Sequence, residues 1–299
     1  MTVALAPGGT ARRRGRLRIP GAYLLLLPSL LFLGVFFLWP MLQGLLLSVR
    51  DDQGSLTGDY FVSMVENPRF WPAVRNTLLL TVVVLPLQFA LALAMGLILQ
   101  SRPRFRGFFL YFWAVPLAVS DLAAGLVWLS IFTDNGYLNS VLVSLGLADS
   151  GYAWLGYQNY WTMFLAIVLA ETWRATALVL VIVVAGLQVV PRDYDEAAEV
   201  FGATFWQRLR HVTLPLIKPS LQVALILRTI LAFQAFAVVI ALTGENFPVL
   251  VSETYNSYVD LQNPNVAAAL ATVIMAVSML FAVLYLRLLR PAETEEPTA

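Results

Sequence analysis

Six long runs of apolar residues constrain the fold of this sequence more than any other feature. They lie at 20–48, 76–100, 108–132, 161–190, 219–242 and 266–289. A helix needs about 20 residues to cross the hydrocarbon core of a bilayer, and each run reaches that length. The runs are continuous rather than alternating, which excludes barrel strands. The sequence therefore predicts an all-α integral membrane protein with six transmembrane helices.

The composition agrees with a membrane protein and excludes several chemistries. Hydrophobic residues make up 59% of the chain and charged residues 12%, too few charges to cover a water-soluble surface. The net charge of +1 indicates no nucleic-acid partner. Cysteine is absent and His211 is the only histidine, so disulfides, thiolate metal sites, cysteine nucleophiles, histidine metal clusters and proton relays through several imidazoles are excluded.

The distribution of basic residues predicts the orientation of the six helices. Segments 1–18, 101–107 and 191–218, together with Arg287 and Arg290, carry 14 arginines and lysines. The loops on the opposite side carry three: Arg50, Arg69 and Arg75. Since loops rich in Lys and Arg stay in the cytoplasm, we expect both termini there. The predicted domains are a basic cytoplasmic tail (1–18), a membrane domain (19–290) and an acidic tail (291–299).

The outer loops 133–160 and 243–265 contain neither lysine nor arginine and are long enough to form short surface or re-entrant helices. Four aromatic residues cluster where the fourth run begins: Trp154, Tyr157, Tyr160 and Trp161. Such residues are typical of the membrane–water interface, and a binding role is the alternative.

Segment 191–218 differs from a simple polar linker. Asp193 is predicted to cap a first short helix, with Glu196 three residues later as in a capping box. Gly202 is predicted to break this helix and Thr204 to cap a second one. We expect Pro215 and the proline at 219 to end the second helix before the fifth run. The sequence thus predicts a cytoplasmic helix-turn-helix between transmembrane helices four and five.

A signature in this segment resembles that of a known family. It consists of Glu196, Ala197, Ala198 and Gly202, followed by Leu214 and Pro215. The pattern E-A-A-x-x-x-G with a later L-P resembles the EAA motif of permeases in bacterial ABC importers that use a binding protein. Shorter stretches, including Phe233-Gln234-Ala235-Phe236, look like the sugar-permease branch, which contains the larger membrane subunit of maltose, trehalose and glycerol-phosphate importers.

The resemblance implies a set of partners and a function. The chain would pair with a second permease, two cytoplasmic ATPases that bind ATP and Mg²⁺, and an extracytoplasmic sugar-binding protein. It would carry no cofactor itself and would move a disaccharide or oligosaccharide across the bacterial cytoplasmic membrane by alternating access. Glu196 would contact an ATPase, and the small residues after it would permit close packing. Glu196 could also serve only as half of a capping box, and the two roles are compatible.

Charged residues inside the runs are costly in a bilayer and so face protein or a watery cavity. Arg174 and Arg228 lie near the middle of runs four and five, and Glu171 is one turn from Arg174. One interpretation is a structural ion pair of Glu171 with either arginine. The other is a substrate pathway, because sugar hydroxyls accept hydrogen bonds from arginine and glutamine and sugar C–H faces stack on aromatic rings. The pathway candidates are Asp121, Trp173, Arg174, Arg228, Phe233 and Gln234.

Two other classes remain as alternatives at this point. An ion-coupled secondary transporter usually has paired inverted repeats, which are not visible here. A membrane-embedded transferase is not excluded by composition, but no catalytic motif supports it. The sequence has no Walker motif, so ATP-driven transport would require ATPases on other chains.

Overall fold

The computed structural model describes residues 21–51, 53–101 and 103–288, and these are helical apart from loops and one isolated bridge between Arg50 and Leu56. The predicted tails 1–18 and 291–299 lie outside the described residues. The chain divides into two compact units, the first ending at Leu46 and the second beginning at Leu47.

The first unit holds helix α1 (Gly21–Leu33), a π-helical turn (Gly34–Leu38) and most of α2 (Trp39–Val49). The turn is widened because Pro40 follows it. In that turn the Trp39 amide donates to the Gly34 carbonyl five residues back. A proline ring crowds the carbonyl four residues before it, and a wider turn relieves that contact.

The second unit contains twelve helices within the described residues. They are α3 (Asp59–Glu66), α4 (Phe70–Gln100), α5 (Arg106–Ala114), α6 (Asp121–Phe132), α7 (Tyr137–Ser144), α8 (Tyr160–Val189), α9 (Arg192–Val200), α10 (Phe205–Arg208), α11 (Leu214–Phe233), α12 (Ala237–Thr243), α13 (Leu250–Val259) and α14 (Pro264–Leu288). The loops 133–160 and 243–265, which are long enough to form short helices, contain α7 and α13.

The predicted all-α membrane fold is confirmed. Five helical segments of the described chain are long and apolar enough to span a bilayer: Leu25–Val49, Phe70–Gln100, Tyr160–Val189, Phe205–Phe233 and Pro264–Leu288. A sixth span is reached only by counting a bent pair, Arg106–Ala118 with Asp121–Ser144.

The third apolar run is broken rather than continuous, with an angle of 101° between its two parts. A 3₁₀ turn (Val115–Ala118) contains Pro116, and the backbone is then extended at Val119 and Ser120. The Ser120 hydroxyl accepts a hydrogen bond from the Ala123 amide and caps α6. Proline and an N-cap serine thus end one helix and begin another inside an apolar run.

The fifth span begins earlier than the sequence predicts, which corrects the expectation that Pro215 ends the second cytoplasmic helix. The helix continues from α10 through a π-helical turn (Leu209–Thr213) into α11. The Leu214 amide donates to the Leu209 carbonyl, so the turn directly before Pro215 is widened. The helix then ends at Phe233, with Gln234 as its C-cap residue, and α12 follows as a separate short helix.

Close helix crossings organise the second unit around α8. A Cβ atom added to Gly96 of α4 would lie 3.0 Å from the Leu187 side chain of α8. One added to Gly186 would lie 2.6 Å from the Ser220 hydroxyl oxygen of α11. Small residues at these crossings let the backbones approach, as is usual between membrane helices. Helix α8 is therefore enclosed by α4 on one side and α11 on another.

Candidate functional site

A buried ion pair joins three long helices at the middle of the bundle. The Arg228 Nη2 atom of α11 lies 2.7 Å from Oε2 of Glu171 on α8, and the two side chains are 1% and 4% exposed. The Arg228 Nε atom donates to Gln88 Oε1 of α4 at 2.7 Å. Gln88 Nε2 in turn donates to the Glu171 carbonyl at 2.9 Å. Two bonds between side chains and one to the Glu171 backbone thus connect the three residues in a closed set.

Arg174 extends this network to the break in the third span. Its Nη1 atom lies 2.8 Å from Oδ1 of Asp121, the first residue of α6, and its Nη2 atom lies 3.4 Å from Glu171 Oε2. The Arg174 side chain is 19% exposed and that of Asp121 51% exposed. With Arg228 and Glu171, the network holds two positive and two negative charges, so its formal charges balance.

Three donors next to these residues are buried without a hydrogen-bond partner among the described residues. They are Nη1 of Arg228, Nε of Arg174 and the Thr172 hydroxyl. A buried donor without a partner costs about 1–3 kcal/mol, because it has lost its hydrogen bonds to water. Such atoms can donate to a polar group that approaches them.

An aromatic cleft of about 390 Å³ lies beside the network, between α4, α5, α6 and α8. Trp173 is partly exposed there and meets the Trp128 ring edge-on, with the ring centroids 6.3 Å apart. Trp113 and Thr172 also line the cleft. Aromatic faces next to hydroxyl and guanidinium donors can bind a molecule that has both C–H faces and hydroxyl groups.

The structure brings together some of the predicted pathway residues and separates others. Asp121, Arg174 and Arg228 belong to one network, and Trp173 is adjacent in sequence to Arg174. Arg228 is buried by its ion pair and lines no open surface. Phe233 is also buried, 5.4 Å from the Phe281 ring of α14. Gln234 lines a different cleft of about 510 Å³ formed by α11, α13 and α14.

The segment between α8 and α11 is a helix-turn-helix, formed by α9 and the continuous helix that starts at α10. Gly202 joins them with φ of +81°, a conformation that favours glycine. Thr204 caps α10 in a reciprocal capping box with Gln207. The first cap differs from the prediction: Pro191 is the N-cap residue of α9, and Asp193 lies within its first turn. Proline sets the backbone there, so no side chain caps this end.

The two arms of this element are tied together, and its outer surface is exposed. Arg208 Nη1 lies 2.8 Å from Glu199 Oε2, which links α10 to α9. The Glu196 side chain is exposed and forms no hydrogen bond or ion pair with another described residue. The apolar residues of the element are largely exposed too: Tyr194, Val200, Phe201, Phe205 and Trp206. Exposed apolar surfaces of this kind are typical of protein or membrane contacts.

Sequence reasoning missed Gln88, although it is the polar residue in the middle of the second apolar run. A polar side chain at that depth signals a buried hydrogen-bond partner. Sequence reasoning also missed a polar cluster on the outer loops. Arg69 lies 3.1 Å from Glu245 and 3.0 Å from Glu253. Glu245 lies in the loop before α13 and Glu253 in α13 itself, so this cluster holds the start of α4 against both.

Two of the aromatic residues at the start of α8 also have specific partners. The Trp154 indole donates to Asn139 Oδ1 at 2.8 Å, and the Tyr160 hydroxyl donates to Asn76 Oδ1 at 2.9 Å. Tyr157 and Trp161 are exposed instead, as interfacial residues would be.

An all-helical bundle with a helix-turn-helix between its fourth and fifth spans, and an EAA motif on that element, defines the membrane-spanning subunit of an ABC importer. A protein of this class is a transport component and not an enzyme. Residues 88–294 match the family described as "Binding-protein-dependent transport system inner membrane component". The chain belongs to this family.

Relatives and solved structures agree with this assignment. The chain is 33% identical to the sulfoquinovosyl glycerol transport system permease protein of Agrobacterium fabrum, with 90% of each chain covered. It is 31% identical to the trehalose/maltose transport system permease protein of Thermococcus litoralis, with 89% of this chain and 92% of the relative covered. In fold it is similar to a chain of a bacterial ABC transporter that imports alginate, with a TM-score of 0.76 at 21% identity and coverage of 91% and 96%.

Proposed function

We propose that this chain forms one half of the membrane pathway of a sugar importer and moves a disaccharide or oligosaccharide by alternating access. The observation that carries the proposal is the partly exposed group of Trp173, Arg174 and Asp121 beside the aromatic cleft, at membrane depth. One of the two permease relatives is named for transport of a sugar derivative, sulfoquinovosyl glycerol, and the other for trehalose and maltose, which supports a sugar as the substrate class.

The chemistry of this group suits a neutral sugar. Arg174 Nε and the Thr172 hydroxyl are buried donors without a partner among the described residues, and they would reach sugar hydroxyls once the cleft opens during alternating access. The indole face of Trp173 can stack on the C–H face of a sugar ring. Because the two arginines are balanced by Glu171 and Asp121, the network leaves no net charge to attract an ion. We therefore expect a neutral, hydroxyl-rich substrate.

The helix-turn-helix is proposed as the contact to the ATPases. Glu196 and the apolar surface around Phe201 are exposed, and the Arg208–Glu199 pair links the two arms of the element. The second arm continues without interruption into α11, which carries Arg228. Movement of the element would therefore act directly on the helix that closes the buried network.

The remaining partners follow from the family. We infer a second permease, two ATPases that bind ATP and Mg²⁺, and an external sugar-binding protein, in the bacterial cytoplasmic membrane with both termini in the cytoplasm. One solved relative in fold is a bacterial alginate ABC transporter in complex with a periplasmic protein bound to an alginate pentasaccharide, with a TM-score of 0.74 to this chain. That complex supports a binding-protein partner here.

The test is a substrate panel applied to the assembled importer in proteoliposomes. ATPase stimulation and uptake are measured with the cognate binding protein and neutral mono-, di- and oligosaccharides, an anionic sugar and an amino acid. A neutral di- or oligosaccharide should stimulate ATP hydrolysis and accumulate inside. Accumulation of only the amino acid or only the anionic sugar would contradict the proposed substrate class.

A further inference from the structure

A polar cavity lies on the same side of the molecule as the helix-turn-helix. It has a volume of about 180 Å³ and lies where three helices end or begin. Three polar residues line it. Gln100 is the last residue of α4, Arg106 is the first residue of α5, and Gln188 lies near the end of α8. Its apolar lining includes Leu99 and Leu187, both buried.

The position of this cavity defines its depth in a bilayer. Helices α4 and α8 are membrane spans, and a span ends where the apolar core gives way to the headgroup region. Gln100 and Gln188 therefore lie at that boundary, while Leu99 and Leu187 lie just inside it. The cavity is polar toward the headgroup region and apolar toward the core, which matches the two ends of a phospholipid.

Arg106 makes this cavity cationic. Its side chain forms no ion pair or hydrogen bond with any other described residue, and none of the described residues that line the cavity is a carboxylate. Gln100 also lines a neighbouring cavity of about 190 Å³, where the one acidic lining residue among the described residues is Asp195, and Arg208 lines that cavity too. An arginine without a carboxylate partner, in a cavity that two side-chain amides also line, can bind an oxyanion that has several acceptor oxygens.

The residues around Arg106 point to a lipid rather than a free ion. Phe105, Phe108 and Tyr111 are each more than half exposed. Exposed aromatic rings directly after basic residues are typical of the membrane interface, where anionic lipids bind basic segments.

We propose that this cavity binds the phosphate of an anionic phospholipid such as phosphatidylglycerol. The Arg106 guanidinium donates to two phosphate oxygens. The amides of Gln100 and Gln188 donate to the remaining phosphate or glycerol oxygens. The first acyl carbons lie against Leu99 and Leu187, and the exposed rings of α5 contact the surrounding lipid. The site is separate from the substrate pathway and does not depend on which sugar is transported.

The test counts lipids that stay bound to the purified, assembled importer, by native mass spectrometry. The importer is equilibrated with phosphatidylglycerol or with phosphatidylcholine of the same acyl chains. Arg106→Gln is compared with Arg104→Gln, which removes the same charge from an exposed position of the same loop. We expect Arg106→Gln to weaken phosphatidylglycerol binding about fivefold or more, and Arg104→Gln to leave it near the parental value. Arg106→Lys should retain part of the binding, because it keeps the charge without the planar fork.

Other outcomes would overturn the proposal. Equal loss in both glutamine variants would indicate diffuse surface attraction instead of a site. Displacement of phosphatidylglycerol by inorganic phosphate at equal concentration would indicate a free-anion site. Loss of ATPase subunits from the Arg106→Gln complex, with its lipid retained, would indicate a protein contact. None of these results depends on sugar uptake, so failure here is distinct from failure of the proposed transport function.

Discussion

Arg228 and Glu171 form an ion pair whose donor and acceptor atoms are 2.7 Å apart and whose side chains are almost completely buried. The two residues are 57 positions apart in the chain and lie on different membrane helices. Gln88 closes the set from a third helix. A buried pair of this kind holds helices in one arrangement, because separating the charges leaves each without a partner in a medium of low polarity.

Loss of one member of this pair should destabilise the importer. We expect Arg228→Met to lower the stability of the assembled complex by about 3–5 kcal/mol, since it leaves Glu171 buried without its main partner. The measurement is thermal unfolding of the purified complex together with its yield. The double variant Arg228→Met with Glu171→Gln removes both charges and should recover part of the loss. A single variant as stable as the parent would contradict the structural role.

Arg174 should behave differently, because its side chain is partly exposed and its main partner is Asp121 at the break in span three. Arg174→Ala is expected to leave assembly and basal ATP hydrolysis near the parental values. Sugar uptake should fall about tenfold or more, since a hydrogen bond from a charged donor contributes about 1.5–3 kcal/mol. Arg174→Lys should restore part of the uptake. Normal uptake by a well-assembled Arg174→Ala importer would place the substrate contacts elsewhere.

We expect the backbone conformation of Gly202 to be necessary for coupling between the helix-turn-helix and the ATPases. Its φ of +81° costs other residues about 1–2 kcal/mol, while the space around it is open. We expect Gly202→Leu to insert normally but to abolish transport, because the two arms of the element no longer meet at the same angle. Gly202→Asn should retain more activity, since asparagine tolerates this conformation.

Gly146 offers a matched control for the Gly202 variants. It also has a positive φ, +68°, with open space around it, but it follows α7 in an outer loop. Gly146→Leu should introduce a similar strain without loss of transport. Parental transport by Gly202→Leu would disprove the coupling role.

The outer cluster around Glu253 should make stability depend on pH. Burial raises the pKa of Glu253 above its ordinary value of 4.5, and Arg69 and its hydrogen bond partly oppose that increase. The folded state therefore binds the proton more tightly than the unfolded state. The stability that Glu253 contributes to the folded protein is therefore fully present below pH 4.5. It is lost as the pH rises from 4.5 through the raised pKa.

Thermal unfolding of the complex across that pH window tests this dependence. The variant Glu253→Gln should flatten the curve, because it removes the titrating group while keeping a similar shape. Arg69→Ala should steepen the curve, since it removes the charge that lowers the pKa of Glu253. Identical pH profiles for the parent and Glu253→Gln would show that Glu253 has no such effect.

The orientation predicted from the 14 basic residues against three can be measured directly. A reporter fused near Ser140 of α7 should be accessible from outside, and one fused near Ala203 should be accessible from the cytoplasm. If the Ser140 reporter were accessible from the cytoplasm and the Ala203 reporter from outside, the helix-turn-helix would lie on the outer side. It could then not contact the ATPases as proposed.

Much of this protein could be inferred from local sequence. The length of the apolar runs predicts membrane helices, since a bilayer accepts few other structures. Gly202 and Thr204 predict the turn and the second cap of the helix-turn-helix because backbone conformation and capping depend on neighbouring residues only. The EAA motif identified the family for the same reason, because it is a local pattern.

Only the tertiary structure decided which polar residues meet. Arg228 was a candidate for an open pathway, but its partners Glu171 and Gln88 are 57 and 140 positions away and enclose it completely. The sharp break at Ser120 and the continuous helix through Pro215 also depended on packing, since the same prolines can end a helix or be accommodated by a widened turn. Local sequence sets the helices, whereas the pairing of buried charges depends on how close crossings at residues such as Gly96 and Gly186 bring the helices together.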